Sequence, residues 1–318
     1  ALNAGQTLEF KITRGNWDTV EKTATGSDRP NRSLTLTSDT KAIDVTVERW
    51  GNASPRASTV IGTLKLHEID SAALKTRRNI RVWLPAAYDA DPAARFDVLY
   101  LHDGQNCFDA ATSSFGNEWR IDESLTKLIE AKTIRPLIVV GVDNGQGERI
   151  NELSYGKHPQ HGGGNGEAYA TFLLSEVKPL IEKTYRTQTG PAHTFLGGSS
   201  LGGLASLEIA RRHPGTFGGV MAMSPSLWWP SPRVIEAIEQ APKSYVGTRI
   251  WLDMGTRESG GNSAENQQHI ANARRLDAVL TKQNVQHRLL IDNVTGEHNE
   301  PAWARRFPEA ITYLLNGK

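Results

Sequence analysis

Seven residues, Gly197-Gly198-Ser199-Ser200-Leu201-Gly202-Gly203, restrict the fold of this chain more than any other stretch. They contain Gly-x-Ser-x-Gly as Gly198, Ser200 and Gly202. His193 to Leu196, just before, reads as a short buried strand. Leu204 to His213, just after, reads as a helix stopped by Pro214-Gly215. Strand, sharp turn and helix is the setting that makes this pattern a nucleophile elbow. Such a turn holds Ser200 in strained dihedrals. Strand and helix then approach so closely that side chains two residues before and two after would clash. The strain lifts the Ser200 hydroxyl above the sheet edge and aims the Leu201 N–H at the space where an oxyanion forms. A Gly/Ser-rich loop without chemistry is the other reading of these residues, and the flanking strand and helix favour the elbow.

The elbow needs a sheet beneath it, and the chain supplies one. Phe96 to Leu101 and Leu137 to Val142 are dense apolar runs, as in strands buried on both faces. Val60 to Ile69 and Asn79 to Leu84 read as an antiparallel pair, and further strands are expected at Gly219 to Met223, Arg249 to Asp253 and His287 to Ile291. Helices fit between them. Glu118 to Ala131 places Ile121, Leu125, Leu128 and Ile129 at helical spacing, and Tyr169 to Tyr185 does the same with Phe172, Leu173, Val177, Leu180 and Ile181. Pro179 should bend the second of these. Glu265 to Gln283 is a third. Alternating strands and helices predict an α/β domain: a mostly parallel central sheet with helices on both faces.

Residues 1 to about 52 differ. Leu8 to Ile12, Arg32 to Leu36 and Ile43 to Val47 alternate apolar and polar residues, with Gly, Asn, Asp, Pro and Ser clusters between them. This predicts a small all-β sandwich module over residues 1–58, ending in a linker at Asn52 to Ser58, ahead of the α/β domain at 59–318. The formal net charge of +1 gives no reason to expect nucleic acid or an anionic membrane as partner. No apolar run reaches the roughly 18–20 residues of a membrane span. Cys107 is the single cysteine, so no intramolecular disulfide forms. Oligomeric state is left open. The chain opens Ala1-Leu2-Asn3, as a mature chain does after signal-peptide removal or a trimmed chain does. A secreted or periplasmic location is the expectation.

A serine hydroxyl attacks only if a base takes its proton and a third group orients that base. In elbow-bearing sheets the order along the chain is Ser, acid, His. The histidines after Ser200 are His213, His269, His287 and His298. The first lies at the end of the elbow helix, the second within a helix and the third at the start of a strand. His298, in the loop Val294 to Glu300, is the candidate base. Glu258, beyond the strand Ile250 to Asp253, is the favoured acid; Asp253 is its rival and Glu297 a weaker third. The turn Asp103-Gly104-Gln105-Asn106 should supply the second oxyanion donor, the Gln105 N–H. His102 reads as a histidine buried under the site. The loop His158 to Gly164 reads as mobile and near the site mouth. Neither region offers ligands at metal spacing, and the chemistry needs no cofactor or metal. Trp119, Trp228 and Trp229 follow strand ends on the ligand side of such a sheet and are candidate substrate-binding residues.

Several stretches carry a resemblance. Leu99 to Asp109, Glu118 to Glu123, Arg149 to Glu152, Glu176 to Ile181, the elbow and Ser224-Pro225-Ser226-Leu227-Trp228-Trp229 are together similar to the putative-esterase family of α/β-hydrolases, over roughly residues 60 to 315. That family includes esterase D, siderophore esterases and feruloyl or acetylxylan esterases. The resemblance implies an α/β-hydrolase fold and a serine carboxylic-ester hydrolase with Ser200, Glu258 and His298 as triad. Glu258 departs from the Asp of many relatives. In the front region, Phe10 to Asp18, Asn31-Arg32 and Trp50 resemble carbohydrate-binding modules of the starch-binding type, which stack sugars on aromatic faces. Trp17 and Trp50 are the candidates for stacking, with packing in the core as the other reading. Acyl or feruloyl esters of carbohydrates are the expected substrates. A siderophore lactone, acyl transfer to a sugar, and a carbohydrate-binding protein on an inactive scaffold are the alternatives.

Overall fold

The computed structural model describes residues 5, 7–14, 17–37, 43–51, 57–114, 116–229 and 234–317. The chain divides into two compact units. One comprises residues 1–58 together with 110–116, and the other residues 59–109 and 117–318. A second segment, 110–116, thus joins the front unit, which a single boundary at residue 58 does not anticipate.

The front unit holds two small antiparallel sheets. Strand β1 (Thr7–Phe10) pairs with β3 (Arg32–Thr35), and β2 (Glu21–Lys22) pairs with β4 (Arg49–Trp50). Glu21 is fully buried, and Arg32 grips its carboxylate through Nε at 2.9 Å and Nη2 at 2.6 Å. The Ile12 N–H donates to the same carboxylate at 3.1 Å. Buried charge survives only when paired in this way. Ile43–Val47, expected as a strand, forms none, because alternation specifies a strand only where a partner lies alongside. Of the linker expected at Asn52–Ser58, residues 52–56 lie outside the described residues.

The second unit is built on an eight-stranded sheet. Its strands are β5 (Thr63–Ser71), β6 (Thr76–Leu84), β7 (Asp97–His102), β8 (Leu137–Val142), β9 (Thr194–Ser199), β10 (Gly219–Met223), β11 (Arg249–Arg257) and β12 (His287–Glu297). The order across the sheet is β12-β11-β10-β9-β7-β8-β6-β5. β6 runs antiparallel to both neighbours, and every other pairing is parallel. Successive side chains on a strand face opposite ways. Accordingly Val98 and Tyr100 of β7 join one core cluster with Leu204 and Leu207, while Leu99 and Leu101 join another with Phe307 and Ile311. Both faces are covered by helices, which explains the unbroken apolar runs of β7 and β8. Each Val or Leu so buried contributes about 1.5–3 kcal/mol.

The helix expected from Tyr169 to Tyr185 runs from Gly166 to Thr184 with a π-helical turn at Phe172–Val177. Pro179 follows that turn. A proline ring collides with the carbonyl four residues back and donates no N–H, and a widened turn relieves both defects. Among the described residues, no helix is long and apolar enough to cross a membrane.

Candidate active site

The parallel strands end together along one edge, and their carboxyl ends carry the polar groups. Ser200 follows β9 with φ 56° and ψ −122°, and the helix Leu201–Arg212 starts at the next residue. The strain is held in place from β10. The Ser200 N–H donates to Met223 O at 3.0 Å, and the Ser226 N–H donates to Ser200 O at 3.0 Å. Close approach explains the glycines: a Cβ on Gly198 would lie 2.9 Å from the Gly202 carbonyl carbon and 3.0 Å from His102 Cδ2. Leu201 opens the elbow helix, so its N–H has no acceptor within the helix. Gln105 lies in the turn Gly104–Asn106 after β7, behind Asp103 at φ 59°. A Cβ on Gly104 would meet the Gly141 carbonyl carbon at 2.4 Å, so only glycine lets this turn lie against β8.

Glu258 follows β11 and His298 follows β12, and the structure brings them together. His298 Nδ1 lies 2.5 Å from Glu258 Oε2. The His298 ring is accessible, whereas the Glu258 side chain is buried. The other carboxylate oxygen, Oε1, accepts from the Ser224 hydroxyl at 2.7 Å and from the Gly255 N–H. Burial alone raises the Glu258 carboxyl. The His298 hydrogen bond and charge, Ser224 and Gly255 outweigh it and hold the group below its ordinary value. His298 is steadied from behind. Asn299 caps the last helix, Glu300–Asn316, by accepting from the Ala302 N–H at 3.0 Å, and Pro301 sits in its first turn. The His298 ring meets Trp303 edge-on at 5.1 Å between centroids.

β11 and β12 continue further than the sequence suggests, so acid and base stand on strand ends rather than on long loops. The pairing register shifts between Gly255 and Arg257, whose partners are Asp292 and Glu297. Asp292 pins the resulting bulge, accepting from Val294 N at 3.0 Å, Thr295 Oγ1 at 2.9 Å and Gly296 N at 3.2 Å. The bulge carries the chain forward to His298.

Asp253, the rival acid, is fully buried and is engaged by groups other than His298. It lies 2.9 Å from Arg306 Nη1 and accepts from the Trp251 indole at 2.8 Å and the Ser224 N–H at 3.0 Å. Glu297 is exposed and lies 3.4 Å from Arg257. Sequence reasoning missed the group that holds Glu258. Ser224, at φ 40°, donates a hydrogen bond from its hydroxyl to Glu258 while accepting from Trp303 Nε1 at 3.2 Å and Arg306 Nη2 at 2.9 Å. The positive φ of a non-glycine residue is the mark of this strained junction, and it is invisible in sequence. Ser200 Oγ itself lies 3.3 Å from Ser226 Oγ, and among the described residues no hydrogen bond joins Ser200 to His298. Such contacts often tighten only with substrate bound.

The three tryptophans separate. Trp119, 3% exposed, packs on Trp303 at 5.8 Å and so stands behind His298, which corrects its expected place in an open pocket wall. Trp229 is equally buried, its indole donating to Gly156 O at 2.8 Å. Trp228, 45% exposed, is the one with an open ring. Gly156 lies just ahead of the loop His158 to Gly164, in which His158 rests 5.3 Å from Trp229 and 4.5 Å from His161, centroid to centroid.

His102 is buried under the elbow, its Nδ1 2.8 Å from the Tyr169 hydroxyl. Burial pushes its pKa down to about 4. An unfolded chain takes up a proton at His102 near pH 6.5. Between about pH 6.5 and 4 the folded chain therefore binds fewer protons at this ring, and stability should fall as pH falls through that window. An imidazole NMR titration should show the His102 ring still neutral at about pH 5. Protonation of the His102 ring above pH 6 would contradict this.

The fold is a mostly parallel sheet with helices on both faces, and the candidate nucleophile, base and acid stand at the carboxyl ends of its strands. The chain belongs to the putative-esterase family, whose model matches residues 71–314. It is 29% identical over 198 residues to the iron(III) salmochelin esterase of Escherichia coli O6:H1, covering 57% of this chain and 43% of that protein's length. It is 26% identical over 266 residues to the ferri-bacillibactin esterase BesA of Bacillus subtilis, covering 76% of this chain and 86% of the relative. The structure is similar to that of an IroE-like serine hydrolase from Shewanella oneidensis, with a TM-score of 0.67, 20% identity and 80% of each chain covered.

Proposed function

We propose that this chain is a serine carboxylic-ester hydrolase in which Ser200 attacks the ester carbonyl and His298 takes its proton. Glu258 holds the imidazole and stabilises its charged form. The N–H groups of Leu201 and Gln105 receive the oxyanion, and water activated by His298 then releases the acid from the acyl-enzyme. The observation that carries this reading is the 2.5 Å contact between His298 Nδ1 and Glu258 Oε2, at strand ends beside a serine held at φ 56°. The acid is buried and the base open, the order a relay to bound substrate requires.

For the substrate, acyl or feruloyl esters of carbohydrates are the reading we favour. It is supported by the starch-binding resemblance of the front region and by Trp17, 53% exposed and therefore no core residue. Trp50 is less suited to stacking a sugar, since the Arg14 guanidinium lies 4.5 Å from its ring centroid. The second reading is a siderophore ester, favoured by the similarity to a salmochelin esterase and a ferri-bacillibactin esterase. A comparison of kcat/KM on feruloylated arabinoxylan fragments, methyl ferulate and a ferric trilactone siderophore separates them. We expect the sugar-linked ferulate to lead by at least about tenfold, roughly 1.4 kcal/mol in transition-state binding. A lead of that size for the trilactone would overturn the carbohydrate reading while leaving the hydrolase mechanism intact. Turnover of none of the three would count against both substrate readings.

A further inference from the structure

At the start of the helix Ile121–Glu130 the chain gathers carboxylates that ester hydrolysis does not use. Glu118, Asp122 and Glu123 are 7%, 0% and 8% exposed. One carboxylate oxygen from each lies within 4.8 Å of the other two. Among the described residues, each also keeps a buried oxygen with no hydrogen-bond partner: Glu118 Oε2, Asp122 Oδ1 and Glu123 Oε2. The remaining oxygens are engaged. Thr59 Oγ1 donates to Glu118, the Ile61 N–H to Asp122 at 2.6 Å, and Arg120 Nε to Glu123 at 3.1 Å. Asp109, whose Oδ1 accepts from the Thr59 N–H at 3.2 Å, adds a fourth carboxylate nearby. Against these stands Arg120, an exposed and therefore screened cation. Buried carboxylate oxygens without donors are costly, and buried acids usually pair or hold a metal.

We propose that Glu118, Asp122 and Glu123 form a binding site for a divalent cation of the calcium type. The donor set is all oxygen, with no imidazole or thiolate, which selects a hard cation. Calcium accepts several carboxylates in an irregular shell, whereas magnesium keeps its waters and takes one or two. The cation's role is structural. Thr59, Asp109 and Asn117 are the residues at which the second unit takes up and releases the chain. Thr59 N–H donates to Asp109 Oδ1 at 3.2 Å and its hydroxyl to Glu118, so a cation here fastens these crossing points to the helix.

The test uses the full chain, stripped with EDTA and dialysed, at pH 7.5. Calcium at a hundredfold excess over its Kd should raise Tm by about 5 °C or more. Magnesium at the same concentration should do much less. Terbium should bind and emit on excitation of Trp119, next to Glu118 in the chain, and calcium should displace it. Glu118→Gln and Asp122→Asn should each abolish both signals while leaving kcat and KM on a small soluble ester unchanged below Tm. If Asp122→Asn fails to fold, Glu118→Gln carries the test alone. Absence of both a Tm shift and terbium emission at millimolar metal in the unaltered chain would overturn the proposal and leave proton sharing between Asp122 and Glu123 as what holds the cluster. Undiminished signals in Glu118→Gln would overturn the assignment as well.

Discussion

Ser200→Ala should lower kcat by at least about a thousandfold, while the protein keeps its fold and melting temperature. Removing a nucleophile leaves only the oxyanion donors and substrate binding to act, and those alone supply a small residue of the rate. Stability should be spared, because the hydroxyl's partner is Ser226 Oγ at 3.3 Å and Ser226 stays anchored through its own N–H. Alanine even keeps the backbone problem unchanged, since it accepts φ 56° no better than serine does. A fluorophosphonate probe followed by peptide mapping should label Ser200 and leave the buried Ser199 untouched. Labelling at Ser199, or near-normal turnover by Ser200→Ala, would remove the elbow from the mechanism.

Glu258→Gln and Asp253→Asn should fail in different ways. A glutamine at 258 has no charge to stabilise the imidazolium and presents an amide to the imidazole N–H. A loss of about 10⁴ in kcat is the expected scale for such a change. KM should move little, and Tm should hold. Asp253→Asn instead leaves Arg306 without its nearest counter-charge in a site where both side chains are fully buried. Breaking such a pair costs about 3–5 kcal/mol, of the order of 10 °C in Tm. Its kcat measured well below Tm should stay within about tenfold of the parent, a change of 1.4 kcal/mol in barrier. The two variants are compared by pre-steady-state kinetics and calorimetry on the same preparations. If Asp253→Asn proved the more damaging to kcat at equal stability, the acid would have been misassigned.

Much of this site was legible because its parts are local. An elbow needs small residues at fixed offsets around one serine, and Gly198, Ser200 and Gly202 show that directly. Chain order then left His298 as the histidine beyond the last strand. The strand ends were less legible. β11 runs on through Gly255 and β12 through Gly296, residues that read as loop because nothing in their composition shows that they pair. The support of Glu258 was not legible at all. Ser224 and Arg306 are 82 residues apart, and no spacing rule joins them. Tryptophans after strand ends look alike in sequence whether they line a pocket or fill a core. Only packing separates Trp228 from Trp119. Ile43–Val47 shows the opposite failure, a strand pattern without a neighbouring strand.

The front unit is made from two stretches of chain, residues 1–58 and 110–116, and this bears on how such a protein can be rearranged. A module that ends at one point can be cut away, transplanted or shuffled between genes as a single cassette. Here a deletion up to residue 58 would strand seven residues that belong with the deleted part, inside a connection that leaves β7 and returns before the helix at Ile121. A graft onto another esterase would have to carry that connection along. A circularly permuted or loop-spliced design is therefore a more natural way to separate the two units than a truncation.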